Sequence, residues 1–390
     1  MPGNELIGVE EFAQVKSVFD SGAVFFAHGF EARRNGSFKV REFEKLLSLK
    51  FGANAICCSS GTAALYTALR VLGVQTNDFV AIQAYNFIAS VEAVVACNAI
   101  PVVINVDNSL NMCAIDLCAK MEMYSFKAVI ATDMQGNPAD FDALKAICSE
   151  AKSFLVEDAC QAIGGRYKGE YLGTVADIGT FSLDYGKTIT TGEGGVIFTK
   201  NPGLAAQAMA FVDHGHANLQ GIERGDDLAL NCGFNFRMSE LQAAVGIAQL
   251  ARLDFIVSSY KLNCNLLSNY LKPKIDHLVE FRKLNDAEAL NDGLIFFIPK
   301  SVEREVLNSF LGSRGVYFKN VPNAIRWHSV EYWDHVWNNH PIYKDRASRD
   351  WQRSVDLLNR AWSFSVNVLD SESQLLDRGQ VIKEAVERFA

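Results

Sequence analysis

A lysine set among glycines and threonines, with no alternating charges around it, calls for a chemical reading. Lys187 lies in FSLDYGKTITTGEGG, where an apolar run gives way to a loop. A lysine that forms an imine with a carbonyl must be partly desolvated, so that some of it is neutral and nucleophilic near neutral pH. Ser182 ends the preceding apolar run and could donate to a phosphate. By itself this stretch also fits a solvated loop lysine. A second candidate is Asp158, in FLVEDACQAIG, at the end of a strongly apolar strand. Ligands of α/β proteins collect at that end of a sheet. A carboxylate there either caps a helix or faces a basic ring nitrogen, keeping it protonated so that the ring withdraws electrons. Glu157 alternates to the opposite face if the strand continues, which favours Asp158. A third candidate is SSGTAAL, Ser59 to Leu65, where a strand ends and a helix begins. Gly61 lets the backbone turn closely, and the free N–H groups of a helix start make a phosphate cup. A Ser/Gly helix cap without a ligand is the plainer reading of the same residues.

These residues need elements to position them. Seven short β-branched runs read as strands: residues 55–60, 79–84, 101–106, 127–134, 153–159, 177–184 and 194–199. Helix-like segments such as TAALYTALRVLG, IASVEAVVACN and DFDALKAICSEAK lie between several of them. Alternation of this kind, with few charges in the strands, predicts an α/β fold whose sheet is mostly parallel and covered on both faces. GEGG, between the last two runs, reads as a turn of a hairpin closing one sheet edge. From Ser239 to about Leu271 the pattern is helical, with Ser239 as its start and Lys272-Pro273 as its stop. After it, LIFFIP (294–299) and the remaining segments suggest a smaller α/β domain. The expected division is a large domain over 1–255 and a small C-terminal domain over 256–390.

Composition narrows the function. The chain is 49% hydrophobic and 21% charged, with a formal charge of -8. An acidic chain with no Lys/Arg block is a poor partner for nucleic acid or an anionic membrane. MPGNELIGVEEFAQV lacks the basic start and apolar run of a secretory signal, and no stretch of about 18 apolar residues predicts a membrane span. The nine cysteines include no CxxC pair, so zinc and iron–sulfur sites lack support and no metal is expected. They read as reduced core thiols of a cytoplasmic protein. No G-x-G-x-x-G follows the first strand, which counts against a dinucleotide-binding enzyme.

The three motifs, in this order and spacing, resemble the sugar aminotransferases of the DegT/DnrJ/EryC1/StrS family, which are fold-type I pyridoxal-phosphate enzymes. The resemblance covers nearly the whole chain and is densest from SSGTAAL to GFNFRMSELQAA, Gly233 to Ala244. It implies a pyridoxal 5'-phosphate cofactor carried on Lys187, with Asp158 facing the pyridine nitrogen. It also implies Gln161 beside the ring hydroxyl, Ser182, Gly61 and Thr62 at the phosphate, and Phe87 of AYNFIAS stacked on the ring. Asn235, in GFNFRM, matches an asparagine that reaches the phosphate of a neighbouring subunit, which implies a homodimer with shared active sites. Some relatives are dehydratases with a histidine at the lysine position; Lys187 favours transamination. A non-catalytic cofactor-binding regulator would have lost Lys187 or Asp158, and both are present. Two departures from the family pattern, Asp184-Tyr185 before the lysine and Asn86 before Phe87, bear on the substrate side.

Three segments, MPGNELIG, ARRNGSFKVREFE and VDHGHANLQGIERG, resemble one branch of the family. That branch makes 8-amino-3,8-dideoxy-manno-octulosonate for bacterial lipopolysaccharide, from a keto-acid sugar bearing an aldehyde at carbon 8 and no nucleotide. The resemblance implies glutamate as amino donor and ping-pong turnover. The alternative acceptor is a nucleotide-linked 3- or 4-keto sugar. A substrate carboxylate needs a basic contact. Candidates are Arg33, Arg34, His214, His216 and Arg224, and Trp327 and His328 are candidates to approach the sugar.

Overall fold

The computed structural model describes residues 2–219, 222–290 and 292–390. Met1 of MPGNELIG and Gln220 and Gly221 of VDHGHANLQGIERG lie outside the described residues. All seven expected strands form, each within two residues of its expected bounds. They are β1 (Asn54–Cys58), β2 (Phe79–Gln83), β3 (Ile100–Ile104), β4 (Phe126–Thr132), β5 (Phe154–Asp158), β8 (Ile178–Ser182) and β9 (Gly195–Thr199). A short ribbon of β6 (Arg166–Tyr167) and β7 (Glu170–Tyr171) stands between β5 and β8. The large sheet runs β1-β9-β8-β5-β4-β2-β3. Pairs β3–β2, β2–β4, β4–β5 and β5–β8 are parallel, and β9 is antiparallel to both its neighbours.

Strand residues alternate between two apolar cores, one on each face. Ala81, Val102, Val129 and Leu155 face one core, and Val80, Ile82, Val103 and Ile130 face the other. Burial on both faces is why these strands read as nearly unbroken apolar runs. A second sheet, β10 (Glu280–Phe281), β11 (Gly293–Phe297) and β12 (Ala361–Ser365), is antiparallel. Helices Leu253–Ile275 and Glu372–Phe389 pack against each other beside it. The segment around Trp333, Trp337, Tyr343 and Trp351 instead joins the core on one face of the large sheet.

Four expectations are corrected. β8 and β9 do pair antiparallel, but GEGG does not turn a tight edge hairpin. The connection is the whole stretch 183–194, and β9 lies inside the sheet, leaving β1 as the edge. The long helix is two, Glu240–Ala251 and Leu253–Ile275, bent by 53° at Arg252. Arg252 turns aside to pair with Glu10 and Glu11 of the first helix. The second helix does not stop at Lys272-Pro273 but includes Pro273 in its last turn, because Leu271 and Ile275 on either side are both fully buried. Lastly, all nine cysteines are free thiols, but Cys118 and Cys232 are exposed and are not core residues. Among the described residues no single helix is long and apolar enough to cross a membrane.

Candidate active site

The parallel strands end along one rim of the large sheet, and the chemistry-bearing residues meet there. A cavity of about 350 Å³ is lined by Ser60, Gly61 and Thr62 after β1, Thr132 at the end of β4, Asp158 at the end of β5 and Ser182 at the end of β8. Lys187, Phe87, Gln161 and His328 also stand in its wall. Of the fifteen site residues expected from the sequence, eight therefore share one cavity: Gly61, Thr62, Phe87, Asp158, Gln161, Ser182, Lys187 and His328. The seven others, Asn235, His214, His216, Arg224, Trp327, Arg33 and Arg34, do not line it.

Each wall residue is held by the local fold. Ser60 caps the helix Gly61–Val71, accepting from Ala63 N–H at 3.1 Å. The Gly61 and Thr62 N–H groups have no intrahelical acceptor, so they remain for an anion. An added Cβ on Gly61 would lie 2.8 Å from Ser182 Cβ and 3.2 Å from Cys160 Sγ, so only glycine lets the helix start approach Ser182. Ser60 is thus the helix cap, and the two free N–H groups lie beside it.

Asp158 is buried, and each oxygen already accepts one hydrogen bond, Oδ2 from Ser90 Oγ at 3.1 Å and Oδ1 from Cys160 N–H at 3.2 Å. The two donors fix the direction of the carboxylate. Glu157 points to the other face and accepts from the backbone of Gly173 (2.6 Å), Val175 (2.8 Å) and Ala176 (3.2 Å). Gln161 Oε1 accepts from Gln135 N–H at 3.1 Å and from Asn320 Nδ2 at 3.3 Å. A backbone N–H can only donate, so the amide is oriented with its NH₂ available to the cavity, suited to a ring phenolate.

Lys187 is half-buried in a loop whose turn is closed by Lys187 N–H to Asp184 O at 3.0 Å and Gly186 N–H to Asp184 Oδ1 at 2.9 Å. The departure at Asp184 is thus a turn-former as well as a cavity residue. His328 comes from the short helix Ile325–His328, strapped to the Phe87 loop by Asn86 N–H to His328 O (2.9 Å) and Ile88 N–H to Trp327 O (3.0 Å). Its ring lies 5.5 Å from that of Phe87. His328 Nδ1 is 2.8 Å from Ala324 O, a carbonyl that can only accept, so Nδ1 carries the proton. Burial lowers the His328 pKa to about 4, with the nearby Lys187 and Lys319 charges adding to the effect. The ring is therefore neutral, and Nε2 is an acceptor.

The remaining sequence candidates lie elsewhere. Arg34 is buried and committed to Glu240 and to the carbonyls of Phe26 and Ser37. Arg224 grips Asp213, which Arg237 (2.7 Å) and His28 (3.3 Å) also reach. Burial pushes the Asp213 carboxyl up, but the two guanidiniums outweigh it and hold the group below the usual carboxylate range. Arg224 lines a different cavity, of about 900 Å³, with His28, Arg41 and Arg237. Arg33, His214 and Trp327 are exposed, and His216 is half-buried near Asp227. Asn235 is exposed. Sequence reasoning missed Thr132, Cys160, Glu193 and Asn320 as cavity residues. Glu193 sat in GEGG, read only as a turn, and Asn320 has no local signal because tertiary packing alone delivers it.

A lysine, a carboxylate, an amide donor, an aromatic face and a helix start converging at the strand ends of this sheet define a fold-type I pyridoxal-phosphate enzyme. The chain belongs to the DegT/DnrJ/EryC1/StrS aminotransferase family, whose profile matches residues 10–357. It is a pyridoxal-phosphate-dependent sugar aminotransferase. The chain is 29% identical to the GDP-perosamine synthase of Escherichia coli O157:H7 over 303 residues, 76% of this chain and 78% of that one. It is 35% identical to the GDP-perosamine synthase of Caulobacter vibrioides over 228 residues, 56% of this chain and little more than half, 58%, of the relative. Among solved structures, 3-amino-5-hydroxybenzoic acid synthase superposes with a TM-score of 0.84 at 26% identity, covering 98% of this chain and 97% of that one.

Proposed function

We propose that this aminotransferase moves an amino group from glutamate to carbon 8 of 8-oxo-3,8-dideoxy-manno-octulosonate, giving the 8-amino sugar of lipopolysaccharide. The convergence of Lys187, Asp158 and Gln161 on one cavity carries the amino-transfer part of this reading. The choice of acceptor rests on the three branch-like segments. Two of them, around Arg41 and Arg224, face each other across the second cavity, beside the exposed loop that bears His214 and Asn235.

Bound pyridoxal phosphate supplies a carbonyl carbon to carry the amino group and a ring that accepts electrons. The residues of this chain do the rest. Gly61 and Thr62 N–H groups and Ser182 Oγ would hold the phosphate, and Phe87 would cover the ring. Asp158 keeps the pyridine nitrogen protonated. Gln161 donates its amide N–H to the ring oxygen. Lys187 Nζ takes the proton from the α-carbon of glutamate and returns a proton to the amino-bearing carbon of the product. His328 Nε2 accepts from a hydroxyl of the acceptor sugar.

Among the described residues, Lys187 is the only lysine or arginine in the cavity wall. A carboxylate-bearing acceptor therefore needs a further hydrogen-bond donor from outside it. We assign this to the exposed loop of a second copy, with His214 as the candidate donor, and assign Asn235 of that loop to the phosphate. Leu219, Ile222, Leu228, Leu230 and Phe234 of the same loop are large apolar residues left exposed, which supports its burial in a homodimer.

A second reading, a nucleotide-linked 3- or 4-keto sugar as acceptor, is favoured by the identity to GDP-perosamine synthases. The holoenzyme, charged with glutamate, should aminate the C8 aldehyde of the octulosonate. Amination of a nucleotide-linked keto sugar with none of the octulosonate would replace the first reading by the second.

A further inference from the structure

The segment that opens the chain is fastened to the backbone of the lysine loop at two places. Gly3 N–H, in the 3₁₀ turn Pro2–Leu6, donates to the carbonyl oxygen of Lys187 itself at 3.0 Å. The approach is so close that a Cβ on Gly3 would lie 2.9 Å from that oxygen, 2.9 Å from Thr190 N and 3.0 Å from Ile189 C. All three are backbone atoms, which cannot step aside as a side chain would. The second fastening runs through buried polar groups. Thr190 N–H donates to Gln249 Oε1 at 3.3 Å, and Gln249 Nε2 donates to Glu11 Oε1 at 2.8 Å. Glu11 Oε2 accepts from Gly8 N–H at 2.8 Å, and Arg252 pairs with Glu11 from the other side. The Thr190 N–H can only donate, so the Gln249 amide has one orientation and presents its NH₂ to Glu11. Both Glu11 and Gln249 are buried.

We propose that residues 3–11 brace the lysine loop, making Gly3 and Glu11 positioning residues for Lys187. The proposal rests on Lys187 being the lysine that holds the cofactor. The loop's own bonds include Lys187 N–H to Asp184 O at 3.0 Å, Thr190 Oγ1 to Leu183 O at 3.1 Å, Thr191 N–H to Leu183 O at 2.9 Å and Gly192 N–H to Thr190 Oγ1 at 2.9 Å, and none of these four uses the Lys187 carbonyl or the Thr190 amide. The brace takes those two groups. A half-buried lysine reaches its target through four methylenes, so the backbone at its base must stay in place if Nζ is to meet a carbon within bonding distance. Misplacement by about 1 Å is enough to cost roughly a hundredfold in reactivity.

The test uses Gly3→Ala and, because it adds no bulk, deletion of residues 2–6. Amide hydrogen exchange across 183–191 is measured in the cofactor-free protein, and the rate of cofactor capture is followed by the visible band after adding pyridoxal phosphate. Ile382→Val, in the helix Glu372–Phe389, serves as a control for general loss of stability. Both brace variants should exchange roughly tenfold faster at 187–190, with β5 unchanged, and capture cofactor at least tenfold more slowly. The control should do neither. Unchanged exchange in both variants overturns the brace. Faster exchange with unchanged capture reduces the contact to packing and equally overturns the positioning role. Failure of the underlying reading looks different: Lys187→Ala would still give a borohydride-reducible band.

Discussion

Asp158 and His328 face the same cavity, and each is held in place by its own hydrogen bonds. Asp158 accepts from Ser90 and Cys160, and the role proposed for it is to keep the ring nitrogen protonated. Asp158→Asn keeps the shape and removes the carboxylate proposed to protonate the ring nitrogen. We expect kcat to fall by at least about 10²-fold, the scale of removing one preorganised electrostatic contact. Near-normal kcat in stopped-flow assays of the glutamate half-reaction would refute the electron-sink role. His328 presents a neutral acceptor. His328→Asn keeps a donor for the Ala324 carbonyl and removes Nε2. It should raise KM for the sugar roughly three- to tenfold, the value of one hydrogen bond, and leave the glutamate half-reaction alone. Its titration also gives a stability prediction. The folded pKa of about 4 lies below the usual 6.5, so between those values the unfolded chain binds a proton that the folded chain refuses. The contribution of the neutral ring is whole above pH 6.5 and is lost as pH falls through about 4. The Tm of the wild type should therefore drop relative to His328→Asn across that window. A constant difference would mean that the folded imidazole is charged.

Helix starts and strand ends do the positioning. The helix Gly61–Val71 brings its N-terminus against Ser182 because Ser60 caps it and Gly61 has no side chain to hold them apart. The two residues separate experimentally. Ser60→Ala should cost about 1 kcal/mol of stability, read as a lower Tm, because Ala63 N–H loses its acceptor. Gly61→Ala should instead weaken cofactor binding in a spectroscopic titration, since its Cβ would push the helix start off Ser182. Equal cofactor affinity for Gly61→Ala and wild type would remove the phosphate role from this element.

On the scale of the whole molecule, the proposed homodimer rests on the exposed Asn235 and the exposed apolar residues of its loop. If each site takes Lys187 from one copy and Asn235 from the other, two inactive variants should rescue each other. Lys187→Ala and Asn235→Ala, unfolded and refolded together, should recover about a quarter of wild-type activity. Half the dimers are then mixed, and each mixed dimer holds one intact site. No recovery, with a dimeric mass by sedimentation, would place Asn235 outside the neighbour's site.

The amino-acid sequence by itself determined the seven strands, because a sheet buried on both faces leaves unbroken apolar runs that local composition makes visible. It also offered the lysine, the carboxylate and the helix start as candidates, each open to a plainer reading taken alone and assigned a role only through the family that their order and spacing resemble. Tertiary structure alone decided that β9 lies inside the sheet, that Arg252 breaks the long helix to reach Glu11, and that Asn320 and His328 come from the far end of the chain to close the cavity. It alone placed Arg34 and Arg224 on buried acidic partners, so that neither is offered to the cavity. The reason is range: periodicity and capping act over a few neighbouring residues, whereas a cavity wall is assembled by packing between segments hundreds of positions apart.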